Sequence, residues 1–180
     1  MLRPLVLVVV VLSTLACTPK DSASGSTTDA STSTKTTGAA TKSAAVPANV
    51  CALFKVAEVE ALLGEKVEAR DVPGGGCQFA GGTRTSLYPT VSIAEDFAGA
   101  GGIEGAKTGA QAAAGGTATP LTVGGASGFV VTGQRMAGST MTQAAVAHHG
   151  LLVSVTMAGG ENAKNEKVGT ELLKMALAKL

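Results

Sequence analysis

The chain is 180 residues long, carries a net charge of +1, and only 15% of its residues are charged. That balance gives no electrostatic footprint for nucleic acid or for anionic lipid. With no Trp and a single Tyr, stacking on bases or sugar rings has little support either.

Arg3 opens the chain, an apolar run fills 5–12, and Ser13-Thr14-Leu15-Ala16-Cys17 follows. A charged start, a short apolar middle and a small residue before a cut describe a secretory signal over residues 1–16. The run is too short to remain as a permanent bilayer span. Ala16 and Cys17 resemble the cleavage and lipidation pair of a lipobox, with Thr14 standing where leucine is commonest. Acylation of Cys17 would supply two or more buried chains, which is what stable anchoring requires. Thr18 is not the aspartate that signals inner-membrane retention, so an outer membrane is favoured where the cell has two. The expectation is an exported protein, lipid-anchored to the cell envelope.

Residues 17–46 follow the cut as a tether of Ser, Thr, Ala, Gly and Lys, without a leucine or an aromatic residue. Such a segment cannot bury enough apolar area to offset its conformational entropy and reads as disordered. As a coil it spans roughly 30 Å root-mean-square. Residues 47–180 then form a single globular domain, long enough for a real core.

Setting Cys17 aside leaves Cys51 and Cys77, an even pair in an oxidising compartment, where a disulfide is the default. The two are too far apart for a Cys-x-x-Cys redox pair, and without a nearby His they do not make a zinc site.

Val56, Val59, Leu62 and Leu63 have helical spacing over 56–63, with Gly64 placed as the cap. A strand over 67–72, a Pro73-Gly74-Gly75-Gly76 turn and a return strand from Cys77 to Ala80 come next. Residues 90–97 read as a strand. Residues 101–114 read as a weak helix, since its glycines lower helix propensity. Its small residues would leave room for a cavity beneath it. Short strands at 121–123 and 128–132 surround Gly124-Gly125. The clearest hairpin joins 140–148 to 151–157 through His149-Gly150, with Leu151, Val153, Val155 and Met157 facing the core. A helix over 162–179 presents Val168, Leu172, Met175 and Ala176. The predicted class is α+β: an antiparallel sheet with helices packed on one face, a C-terminal helix and one disulfide.

Cys51-Ala52-Leu53-Phe54, Glu58-Val59-Glu60-Ala61-Leu62-Leu63-Gly64 and Cys77-Gln78-Phe79 resemble a family of short bacterial cell-envelope lipoproteins. Those domains open with Cys-x-Leu-Leu, carry a helix ending in Leu-Gly, and place a second cysteine two residues before an aromatic. Phe79 stands where that family often has Trp, and Lys55 replaces the usual Ser or Thr helix cap. The resemblance covers about the first quarter of the domain. It implies an α+β fold and a disulfide, and no activity, because the family carries none that is agreed.

The search for chemistry is mostly negative. Gly102-Ile103-Glu104-Gly105-Ala106-Lys107-Thr108 lacks the glycine that must precede the lysine of a phosphate loop. Gly125-Ala126-Ser127-Gly128-Phe129 lacks the last glycine of a nucleophile elbow. His148 and His149, adjacent in sequence, point to opposite faces of a strand, and a turn explains them better than a metal. Met136, Met141 and Met157 read as core filling rather than copper ligands. Glu95 and Asp96 likewise fall on opposite faces, so paired-carboxylate catalysis is unsupported.

No catalytic residue, metal or cofactor is therefore expected, and the protein is not expected to be an enzyme. The membrane, through the N-terminal lipid, is the expected partner, together with an envelope protein or wall polymer. The two readings are a tethered non-catalytic interaction module, whose disulfide-stapled sheet edge could receive a partner strand, and a carrier or sensor of a small apolar ligand.

Overall fold

The computed structural model describes residues 44–81, 88–95, 101–134 and 139–180. The signal, Cys17, tether residues 18–43, Asp96, Phe97 and Met136 lie outside the described residues.

Period-2 patterning produces the expected strands, several of them longer than their apolar cores suggested: β1 (Val67–Val72), β2 (Gly76–Gly81), β3 (Thr90–Glu95), β4 (Ala118–Val123), β5 (Ala126–Gln134), β6 (Thr140–His148) and β7 (Leu151–Ala158). They form one antiparallel sheet in the order β1-β2-β3-β7-β6-β5-β4. Three helices accompany it: α1 (Val56–Leu63), α2 (Gly102–Ala114) and α3 (Asn162–Leu177). The α+β class, the antiparallel sheet, the C-terminal helix and the disulfide stand as read from the sequence.

The helices do not all share a face. On one side, Val153, Val155 and Met157 of β7, Ala144 and Val146 of β6 and Val91 and Ile93 of β3 pack with Val59 of α1 and Leu172 and Leu173 of α3. On the other, Phe129 and Val131 of β5 and Ala145 of β6 pack with Ala110 and Ala114 of α2. β6 is thus buried from both sides, which explains the run Ala144-Ala145-Val146 where one-sided alternation would place a polar residue. Only α1 and α3 share the face expected for every helix.

α2 reaches its face through missing side chains. A Cβ on Gly133 of β5 would fall on the Ala114 carbonyl oxygen, and one on Gly116 would fall on the Thr132 carbonyl oxygen. The end of the helix and the strand therefore approach backbone to backbone.

The β6–β7 turn forms as expected. His149 and Gly150 both have positive φ, 50° and 78°, the pairing of a type I′ turn whose twist matches the strands. Residues 44–46, counted above with the tether, already touch the fold. The Ala44 N–H donates to the His149 carbonyl at 2.9 Å, and Ala44 and Val46 pack against the larger core.

Cys51, in a 3₁₀ turn over Cys51–Leu53, is bonded to Cys77 of β2. Phe54 meets Phe79 edge-to-face at 5.3 Å beside the bridge. Lys55 makes no side-chain cap on α1, as the missing Ser or Thr implied. Val56, expected on the buried stripe, is 37% exposed; Val59 and Leu63 carry that contact. In α3 the stripe also includes Asn165 and Leu173, both fully buried. Asn165 is held there by its Nδ2 donating to the Gly159 carbonyl at 2.7 Å.

Three substitutions test this packing. The bridge closes a separation of 26 residues, so replacing Cys51 and Cys77 by Ala together lowers unfolding free energy by about 3–4 kcal/mol in urea titrations. Gly133→Ala costs about 2 kcal/mol or more by overpacking. Gly109→Ala, with nothing within 4 Å of the new Cβ, instead stabilises α2 by about 0.5–1 kcal/mol.

Candidate functional site

The same approach that seats the C-terminal end of α2 opens a groove along its N-terminal half. Residues 103, 104, 107 and 111 line one stripe of the helix, because positions three and four apart stack on one side. Opposite them stand β4 and β5, where the register pairs Pro120 with Phe129 and Ala118 with Val131. Between lies an open groove of about 390 Å³. That is within the range of small-ligand sites, roughly 300–1,000 Å³.

Ile103, Ala118, Pro120 and Phe129 give the groove its apolar lining. Gln111 and Ser127 add neutral polar groups. The charged pair is Lys107 with Glu104, an ion pair within one helical turn. The Lys107 side chain is only 34% exposed, whereas Glu104 is 71% exposed. Both residues line the groove, Lys107 as the less exposed partner. Nothing in this set pairs a nucleophile with an adjacent base.

The residues singled out in the sequence are scattered. Gly102–Thr108 is the start of α2, so its amides serve the helix rather than a phosphate cradle. Ser127 lies in β5, on the groove wall rather than at a strand-to-helix turn. Met157 is fully buried in the larger core and Met141 packs against the cluster on the other face, so the sheet separates them. Glu95 is exposed at the end of β3. Cys51 and Cys77 are joined to each other. Among the described residues no three His, Cys, Asp or Glu side chains gather as a metal site.

The two histidines depart from expectation. Opposite faces were predicted, yet their rings lie edge-to-face with centroids 4.0 Å apart. The left-handed backbone of His149 breaks the strand alternation and returns its ring toward His148. Burial first, and then the charge of His149, hold the His148 imidazole below its ordinary value of 6.5. A depressed pKa means the folded protein favours neutral His148. That stability is complete above the unfolded-state value of 6.5 and is lost as pH falls through the folded-state value. The melting temperature should therefore fall as pH drops below 6.5, and His148→Asn should flatten that part of the profile in calorimetry.

No family model matches this chain, and no curated protein matches it. Among solved structures it is similar to the extracellular domain of PknH from Mycobacterium tuberculosis. The TM-score is 0.41 and the identity 9%, over 76% of this chain and 98% of that one.

Proposed function

We propose that this protein is an exported, lipid-anchored, non-catalytic binding module of the cell envelope, and that it binds through the groove between α2 and the β4–β5 hairpin. The observation that carries the reading is that groove: a mixed apolar and polar lining of ligand-site size with no catalytic constellation in it. The disulfide supports an oxidising compartment. The signal-like start and Cys17 support a lipid anchor, and the resemblance to short envelope lipoproteins is in keeping with both. Among the described residues no helix is long and apolar enough to cross a membrane.

The carrier reading retains one specific support, which is the apolar floor of the same groove. It finds none between the sheet and α3, where Met157, Leu172 and Leu173 are fully buried in close packing. Strand addition at the sheet edges is opposed by the edges themselves. β4 carries Pro120, which has no N–H to donate. β1 carries an exposed Glu68–Arg70 pair, and the Val67 N–H is taken by the Glu60 Oε1 at 3.3 Å.

Two measurements test the proposal. Labelled palmitate enters the wild-type chain and not Cys17→Ser; label in neither rejects the anchor. After crosslinking in intact envelopes, wild type co-purifies with a stoichiometric partner or bound molecule, and Ser127→Trp, which fills the groove from an exposed position, loses it. Equal recovery by both proteins rejects the groove as the binding face.

A further inference from the structure

The groove beside α2 carries two charges, and they cancel. Glu104 and Lys107 stand one helical turn apart on its wall, in ion-pair contact. Among the described residues no other ionisable side chain lines it. An occupant that brings a net charge therefore meets no unanswered partner. It also loses hydration on entering, and an unpaired charge loses far more by that than a hydroxyl or an amide does. To gain a counter-ion it must part Lys107 from Glu104 and leave one of them unanswered beside it.

The rest of the lining is uncharged. Pro120 is exposed, and Ile103 and Ala118 are half-buried, so the walls offer apolar surface that an occupant can cover. Phe129 beneath them is 2% exposed and serves as floor more than as contact. Gln111 and Ser127 add an amide and a hydroxyl, each able to donate and to accept. Such a lining matches a molecule with an apolar body and a neutral head.

We infer that the groove takes a small uncharged amphiphile, an apolar body with a hydroxyl or amide head, and that the Glu104–Lys107 pair disfavours its charged analogues. The inference rests on the groove being the binding face and names the class of molecule it takes. The volume of about 390 Å³ admits one short or medium chain rather than a two-chain lipid. The two charged residues have unequal parts. Lys107 is 34% exposed and Glu104 71%, so the ammonium is the charge that an occupant would desolvate further. Glu104 neutralises it, and in doing so keeps the groove from selecting anions.

The test uses the full chain carrying Cys17→Ser, so that no acyl group of its own competes, with residue-resolved NMR titrations. The probes share one chain and differ in charge: octanol, octanoate and octylammonium, with hexanol as a shorter alcohol. Octanol should saturably shift the Ile103 and Ala118 methyl signals, at least about threefold more tightly than either ion. Hexanol should bind more weakly than octanol, by at most about fourfold per methylene removed. Glu104→Gln, which leaves Lys107 unanswered, should tighten octanoate about three- to tenfold and keep octanol within about twofold. Lys107→Met should tighten octylammonium by less, because Glu104 stands mostly in solvent. Either ion binding the unsubstituted groove as tightly as octanol, or octanoate affinity unmoved by Glu104→Gln, would overturn the inference. So would octanol shifts that avoid Ile103 and Ala118. The same shifts produced by raising protein concentration alone would overturn it too, and would make a second copy the occupant. If no octyl probe binds while Ser127→Trp still abolishes co-purification from envelopes, the binding-module reading stands and the amphiphile inference falls. If octanol binds as stated and nothing co-purifies, the inference stands alone.

Discussion

The rest of the structure depends on how closely α2 can lie on the sheet. A helix with glycines at 102, 105 and 109 has poor intrinsic propensity, and most of its stability must come from tertiary contact. Its buried positions, Ala110 and Ala114, offer little area. They are effective because Gly116 and Gly133 remove the side chains that would hold the backbones apart. Close approach brings Phe129, Val131 and Ala145 out of water beneath the helix. This second, smaller core is what makes β6 a strand buried on both sides. It also leaves the trench beside the N-terminal half of α2, since small side chains that allow contact at one end cannot fill space at the other. The groove is therefore a consequence of the packing device itself.

Much of the architecture is legible in the sequence, and the parts that are not share a cause. Apolar alternation in β7, the turn at His149-Gly150 and the stripe of α3 report contacts that repeat with a fixed period, so spacing reveals them. The pairing of Cys51 with Cys77 is fixed by arithmetic and compartment. The side on which α2 packs is different, because alanine and glycine carry no facial signal: the helix reads as weak whichever face it covers. The fully apolar Ala144-Ala145-Val146 run in β6 was the available clue, since a strand buried on both faces loses its alternation. Asn165 was illegible for another reason. A polar residue in the first turn of a helix normally faces water, and only the carbonyl of Gly159, set by the preceding loop, draws it inward.

The candidate site was half legible. The small residues of 101–114 indicate that space lies near this helix, but they do not say where. The groove walls come from three elements whose adjacency is set by strand order, and alternation identifies faces without identifying neighbours. As sequence, Lys107 reads only as the lysine of a failed phosphate loop. Its significance is positional: it stands on the groove wall, paired with Glu104 and the less exposed of the two.

The two sheet edges are protected against pairing with further strands. An exposed edge strand recruits other strands indiscriminately, and native proteins blunt it with proline, charge or capping contacts. All three devices are present. Pro120 interrupts the donor row of β4. At the start of β1, Glu60 of α1 accepts from Lys66 Nζ at 2.9 Å and from the Val67 N–H at 3.3 Å. The lysine bond above all holds its carboxyl below the usual range, so it remains a charged acceptor in mildly acid solution. Each edge therefore withholds part of its backbone from a partner strand. Beside α2, by contrast, an apolar floor and the Lys107–Glu104 ion pair stand together, so that face offers side-chain chemistry where the edges offer backbone groups already answered or withheld.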